Sequence, residues 1–332
     1  MGTLDFLNAE RLTELASEAD AVDFLYDALA SGRVDPELDD PRLFSPAPGG
    51  EFLLMPGRDP EYSGVKLLTV APDNPARGKP KIQGVYALFS SDDLAPLILL
   101  DGPELTLLRT PAVTVLAVRG LLDAGPGEGF GEYDRPLRVV VYGTGPQALR
   151  HLHVMRTVLG PIDAAVIGRR PDRVDELVAQ ATGDGLRVRA GTPDDVRTAE
   201  VVLTATSSTE PVLDDALVGP DTVIAAMGVH GPDNAELPPE LVLRADVVVE
   251  ARGAAMRESG NLLRARSVQD WAGQPLANLA DLVTGNFRRR PGAPAVFSGV
   301  GMSWEDLVVA SAIYQRHHAG RAGRDVPPAD PS

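Results

Sequence analysis

The chain has 332 residues, enough to bury a large core in about two domains. Its formal net charge of −16 argues against nucleic acid as a partner, because phosphates need a basic footprint. The absence of cysteine removes disulfides, thiolate nucleophiles and Cys-based metal sites together. The five histidines are scattered, with His151 and His153 on one helix and His317 and His318 in the tail, so no metal is expected. No apolar run reads as long enough to span a bilayer, and the N-terminus lacks a signal-peptide pattern. The expected location is therefore cytoplasmic, without a membrane partner.

In chain order, a helix around Glu10 to Ala30 and the acidic stretch Asp35 to Asp40 read as scaffold and turn. Arg42, in Asp40-Pro41-Arg42-Leu43-Phe44, has no local argument beyond being a loop arginine. The chain uses 28 arginines but only three lysines, Lys66, Lys79 and Lys81, which points to a codon-biased drift towards Arg. Each retained lysine is then of interest, since Lys can lose its proton on desolvation and Arg cannot. Lys66 lies mid-strand in Val65-Lys66-Leu67-Leu68-Thr69-Val70. A cation there must find an anion or shift its pKa downward, unless the alternate face is simply wet. Lys79 reads as a solvated turn residue, and Lys81 stays open between the two readings.

Thr110-Pro111 reads as an N-cap and N1 pair opening a helix to about Leu122. That puts Arg109 just before a helix N-terminus, a natural fork for a carboxylate. The alternative is a structural salt bridge to one of the many acids.

Arg138 to Leu149, RVVVYGTGPQAL, is a β-branched run that breaks at Gly143 and restarts as a helix. Gly143, Gly145 and Ala148 occupy the three places of a G-x-G-x-x-G/A fingerprint, which brings backbone and a helix N-terminus to a pyrophosphate. Pro161 to Ile167 reads as the next strand, followed by Gly168-Arg169-Arg170 and a helix opening at Pro171. An NAD-preferring chain places an acid at this strand end for the ribose 2′-hydroxyl. Two arginines predict NADP(H) over NAD(H) instead; their alternative is a solvated loop.

Leu186–Ala190, Val201–Ala205, Thr222–Met227 and Asp246–Glu250 follow as short apolar runs, some separated by helical patterns. The alternation implies an α/β fold with a Rossmann-type doubly wound parallel sheet. Trp271 and Trp304 read as core or interface, and the tail from His317 to Ser332 as disordered.

Several of these segments together resemble one family. Met55-Pro56, Gly64-Val65-Lys66, Leu108-Arg109-Thr110, Gly143-Thr144-Gly145-Pro146-Gln147-Ala148, Thr204-Ala205-Thr206-Ser207-Ser208 and Phe297-Ser298-Gly299-Val300-Gly301-Met302 look like the ornithine cyclodeaminase/μ-crystallin family. Glu250-Ala251-Arg252-Gly253, Glu258-Ser259-Gly260 and Glu305-Asp306-Leu307 also fit, so the likeness runs from about residue 8 to about residue 316.

The resemblance implies a homodimer whose α/β substrate and dimerisation domain, residues 1–125 plus 305–332, carries an inserted Rossmann domain at 126–304. The junction falls at the Gly/Pro-rich Ala124 to Gly129, with the return near Trp304. By the same resemblance Arg42, Lys66 and Arg109 surround a substrate α-carboxylate, and Gln83 lines that pocket. The implied cofactor residues are Gly143, Thr144, Gly145, Gln147, Ala148, Thr204, Ala205, Thr206, Met227 and Gly228, to which the strand-end argument adds Arg169 and Arg170. Val300 and Gly301 are implied beside the nicotinamide.

One position departs from the cyclodeaminase pattern. The family's amine-handling aspartate falls here on His230, in Met227-Gly228-Val229-His230-Gly231. An imidazole cannot hold a distal ammonium as a carboxylate can. Together with the two arginines, this points to the reductive branch: NADPH-dependent reduction of a cyclic ketimine of the pyrroline- or piperideine-2-carboxylate type. Lys66 or His230 would supply the proton to nitrogen. Competing expectations are an NAD(P)-dependent amino-acid dehydrogenase, oxidative release of an amine from a conjugate, an ornithine cyclodeaminase, and a μ-crystallin-type binding protein for NADPH and small ligands.

Overall fold

A computed structural model of the chain describes residues 4–125, 135–228, 231–274 and 276–322. They form two compact units. The first comprises the described residues up to Ala28, Asp39–Arg109 and those from Ser303 onward; the second comprises Leu29–Leu38 and Thr110–Met302.

The first unit is built on a six-stranded sheet. After β1 (Phe6–Leu7) come α1 (Ala9–Leu15) and α2 (Glu18–Ala30). The single expected helix divides because Ser17 and Asp20 cap each other reciprocally, the Asp20 carboxylate accepting from Ser17 N–H and the Ser17 hydroxyl from Asp20 N–H. Strands β2 (Leu43–Ala47), β3 (Gly50–Arg58), β4 (Tyr62–Val70), β5 (Ile82–Ser90) and β6 (Pro96–Asp101) form an antiparallel meander, and β1 pairs parallel with β6. Successive side chains alternate faces, so register decides what each face carries. Met55, Lys66, Tyr86 and Leu100 sit directly opposite one another along one rung, and all are buried. The opposite face carries Pro56, Val65, Ala87, Leu99 and Phe6 on the adjacent rung, apolar but only half-buried or exposed.

The helix α3 (Gly102–Asp123) begins earlier than expected. Asp101 accepts a hydrogen bond from Glu104 N–H at 2.8 Å, and Pro103 occupies the first turn, a stronger start signal than Thr110-Pro111. Pro111 is consequently interior and cannot return an N–H to the carbonyl four residues back, a cost of about 3 kcal/mol. Burial of Leu105, Leu108, Val113, Val115, Leu116 and Leu121 offsets it, at about 1.5–3 kcal/mol for each side chain removed from water. The earlier start also makes α3 long and apolar enough to cross a membrane by length and composition, with mean hydropathy 1.4 in its most apolar stretch. That stretch is 72 % buried, as in the core helix of a folded domain.

The second unit is an eight-stranded parallel sheet, order β13-β12-β14-β11-β10-β7-β8-β9. Its strands are β7 (Leu137–Tyr142), β8 (Ile162–Ile167), β9 (Val188–Ala190), β10 (Val201–Thr204), β11 (Val223–Ala226), β12 (Asp246–Val249), β13 (Ala277–Asn278) and β14 (Ala295–Ser298). Helices α4 (Pro146–Val158), α5 (Pro171–Gly183), α6 (Pro239–Arg244), α7 (Arg252–Glu258), α8 (Gly260–Leu263), α9 (Val268–Trp271) and α10 (Leu279–Val283) intervene. Val201–Thr204, Val223–Ala226 and Ala295–Ser298 are buried at every residue, the continuous pattern of strands covered on both faces. The chain moves outward from β7 to β8 and β9, then returns to place β10 on the other side of β7. This reversal is the doubly wound switch point expected from the sequence.

The last helix, α11 (Ser303–Ala322), packs on β3, β4 and β5. His317 and His318 lie within it, so the expected disorder does not begin at His317: Tyr314 packs edge-on to Tyr62 and beside His318, which keeps the helix on the sheet. The rest of that tail, 323–332, is outside the described residues. The division between units falls at Arg109/Thr110, ahead of the Ala124–Gly129 junction, of which Ala124 and Gly125 are described. The return at Ser303 adjoins the expected Trp304.

Candidate functional site

The second unit carries a cavity of about 940 Å³ at the carboxyl ends of its strands. Its wall is the turn 142–147, the end of β8 at 167–170, residues 205–208 after β10, and Met227 and Gly228 after β11, with Pro193 and Val212. Gly143 has φ +126, and a Cβ there would lie 2.4 Å from the Ala205 carbonyl oxygen, so only glycine fits. Gly145 is the N-cap of α4, and a Cβ on it would meet open space. Thr144 and Gln147 line the cavity beside these glycines. Ala148 does not: it is fully buried in α4, where a small residue lets helix and strand approach. A glycine turn leading into a helix N-terminus fits a dinucleotide pyrophosphate.

Arg169 and Arg170 both line the cavity and are exposed. Arg170 is the N-cap of α5. Neither guanidinium has a protein partner among the described residues, whereas acids engage most other arginines of this acidic chain. Two unpaired cations beside a helix N-terminus fit an additional phosphate.

Several of the remaining cofactor candidates are held from behind by two carboxylates, Glu236 and Glu250, to which the sequence reading gave no role. Thr204 is fully buried and does not line the cavity; its hydroxyl donates to Glu236 Oε2 at 3.0 Å. Thr206 N–H and hydroxyl donate to Glu236 Oε1, both at 2.7 Å, and Gly228 N–H to Oε2 at 2.8 Å. Ala205 N–H donates to the Tyr142 carbonyl, which fixes the loop opposite Gly143. Val300 and Gly301 lie outside the cavity wall and donate their N–H groups to Glu250 at 2.7 and 2.9 Å. His230 lies outside the described residues.

The first unit holds a buried charge cluster. Lys66, only 1 % exposed, points its Nζ 2.7 Å from Asp306 Oδ2 and donates to the Thr106 hydroxyl at 3.3 Å. Arg109 Nε donates to the other oxygen, Asp306 Oδ1, at 3.2 Å, and its Nη1 pairs with Glu305. Arg109 therefore sits mid-helix in α3, facing α11, and not before a helix N-terminus as expected. Burial, then the nearby Arg109 charge, pushes Lys66 down to about 8, against the pull of Asp306 and Glu305. Asp39 accepts from Ser303 and Trp304 N–H at 2.8 and 3.1 Å, at the start of α11. Burial pushes it up to about 7, with the charges of Glu305 and Asp306 adding to the effect.

Of the other substrate candidates, Arg42 is half-buried just ahead of β2. Gln83 is exposed, and its pairing with Thr69 puts it on the sheet face opposite Lys66, so the fold does not bring the two together. Lys66, Arg109, Glu305, Asp306 and Asp39 do converge. The signal for the acids was present: a strand lysine among apolar residues needs an anion, and Glu305-Asp306 opens the last helix.

The ornithine cyclodeaminase/mu-crystallin family profile matches residues 4–321. The chain belongs to that family. Among its relatives, Delta(1)-pyrroline-2-carboxylate reductase 2 of Burkholderia ambifaria is 30% identical over 284 residues, covering 85% of this chain and 86% of that protein. The ketimine reductase mu-crystallin of Rattus norvegicus is 28% identical over 256 residues, 77% and 76% of the two chains. Among solved structures of this fold, the Thermococcus litoralis Delta(1)-pyrroline-2-carboxylate reductase in complex with NADH and L-proline superposes with a TM-score of 0.81. It is 22% identical and covers 96% and 98% of the two chains, a likeness of fold.

Proposed function

We propose that the protein is an NADPH-dependent reductase of cyclic ketimines, acting on the C=N bond of an imino acid of the pyrroline- or piperideine-2-carboxylate type. The observation that carries this reading is the buried Lys66–Asp306–Arg109 arrangement. It combines fixed cations for an α-carboxylate with an ammonium whose pKa of about 8 suits proton donation near neutrality. Likeness to named reductases of these imines supports the same chemistry.

In this reading the first unit binds substrate and the second binds the cofactor. The turn Gly143, Thr144 and Gly145 with Gln147 and the α4 N-terminus would hold the pyrophosphate. Arg169 and Arg170 would hold the 2′-phosphate that distinguishes NADP(H) from NAD(H). Thr206, Ala205, Met227 and Gly228 would line the other half of the dinucleotide. When bound, the reduced cofactor would supply the hydride that the imine carbon accepts. Arg109 and Arg42 orient the substrate carboxylate, and Lys66 steadies it or protonates the nitrogen at Nζ. His230 is the second candidate acid.

The half-exposed apolar rung of Pro56, Val65, Ala87, Leu99 and Phe6 supports a homodimer formed through the outer face of the first unit's sheet. An apolar sheet face left partly exposed marks an association surface.

The test is turnover of piperideine-2-carboxylate and pyrroline-2-carboxylate with NADPH and with NADH. Preferential NADPH oxidation with either imine is expected. Ammonia-dependent turnover of a keto acid would replace the reading with an amino-acid dehydrogenase, and release of ammonia from ornithine with a cyclodeaminase. Tight NADPH binding without turnover would leave a binding protein. Full turnover in both Lys66→Met and His230→Ala would exclude the proposed acids.

A further inference from the structure

Glu236 is fully buried in the second unit, and its carboxylate gathers four donors: the hydroxyls of Thr204 and Thr206 and the N–H groups of Thr206 and Gly228. Among the described residues no lysine, arginine or histidine pairs with it. Each oxygen accepts one backbone N–H, a donor that cannot reverse, so these bonds favour the charged form. Burial opposes them and pushes the pKa upward. Gly228 is glycine because a Cβ would lie 2.2 Å from the Thr206 carbonyl oxygen and 2.4 Å from Glu236 Oε1. The carboxylate thus ties the loop after β10 to the loop after β11, immediately behind two residues of the cavity wall.

In a doubly wound sheet the half containing the first two strands takes the adenosine, since the ribose-recognising residue ends the second strand. Here that half ends at Arg169 and Arg170, so the side formed by β10 and β11 receives the nicotinamide. That ring carries a positive charge when oxidised and none when reduced. We infer that Glu236 is a positioning residue whose buried charge favours the oxidised cofactor over the reduced one, and so promotes hydride departure. This rests on the cofactor reading above. The charge acts through the loop it holds, without touching the ring, and a neutral residue of the same shape would hold the loop less well and lose the discrimination.

The experiment titrates wild type, Glu236→Gln and Glu236→Asp with NADP+ and with NADPH at pH 8, where an unperturbed imidazole is neutral. Nucleotide fluorescence and calorimetry give both dissociation constants, and thermal melting checks the fold. Glu236→Gln is expected to raise the ratio Kd(NADP+)/Kd(NADPH) about ten-fold. Glu236→Asp keeps the charge, so both affinities weaken while the ratio stays within about two-fold of wild type. An unchanged ratio in Glu236→Gln overturns the inference and leaves a loop anchor alone. If Glu236→Gln does not fold, Thr204→Val decides: it removes one donor, leaves the charge less neutralised, and should lower the ratio. No change there also overturns it. Failure of wild type to bind either nucleotide would instead defeat the cofactor reading itself.

Discussion

Lys66 and Arg109 share one carboxylate: Lys66 Nζ is 2.7 Å from Asp306 Oδ2, and Arg109 Nε is 3.2 Å from Asp306 Oδ1. A single buried acid therefore sets the spacing of the two cations assigned to the substrate. It also restrains the pKa of Lys66, which burial alone would carry further down.

Lys66→Met should lower kcat about 100- to 10,000-fold, the range for loss of a positioned general acid. Lys66→Arg keeps a cation but cannot release a proton near neutrality, so it should fail almost as badly. Wild-type turnover should decline as pH rises through about 8, where Lys66 loses its proton. Retention of wild-type kcat in Lys66→Arg would remove Lys66 from proton transfer. Lys66→Met should also cost about 3–5 kcal/mol of stability, because it removes one partner of a buried ion pair, so kcat is compared at a temperature where both variants are folded.

Asp39 has a folded pKa of about 7, raised above the unfolded value of about 3.9. Its contribution favours the folded state fully below the unfolded value and is lost as pH rises through about 7. Between pH 5 and 8 the wild type should lose stability relative to Asp39→Asn, by at most about 3 kcal/mol. Thermal melts at the two pH values decide; parallel melting curves for the two proteins would show that Asp39 does not titrate there. The same ionisation adds a negative charge beside Glu305 and Asp306, so KM for an anionic imine should rise above pH 7.

The double variant Arg169→Ala/Arg170→Ala should bind NADPH about 10- to 100-fold more weakly, the worth of one charge-assisted contact. NADH affinity should hardly change, since neither side chain has a protein partner to lose. Equal losses for the two nucleotides in a binding titration would show that these arginines do not read the 2′-phosphate.

Leu67→Glu places a charge on the outer sheet face, beside Leu54 and Val85 in register. The expected outcome by light scattering is a dimer for wild type and a monomer for the variant. A variant that remained dimeric would move the interface elsewhere.

The Rossmann sheet was legible because strands buried on both faces read as continuous apolar runs, punctuated by glycines that sterics require, as at Gly143. The start of α3 was misread because Pro111 looked like a boundary, while Asp101, Pro103 and Glu104 carried the actual cap. The need for an anion beside Lys66 was legible; its identity was not, since Asp306 meets β4 only through the packing of the final helix. Nor could Glu236 be recognised, because its four donors come from two separate stretches of chain that meet it only at the strand ends.

The rung containing Lys66 has a consequence for folding as well as for chemistry. Strand β4 offers apolar side chains on both faces, Val65 and Leu67 outward and Leu68 inward, so hydrophobicity alone discriminates weakly between its two possible registers. A slip of one residue would turn Lys66 to the outer face and set Val65 or Leu67 against the carboxylates of α11. Asp306 and Glu305 would then be sealed without the lysine, at a cost of about 3–5 kcal/mol. The ion pair thus acts as a proofreading contact for strand alignment: a chain that folds with the wrong pairing is also one that has lost its site.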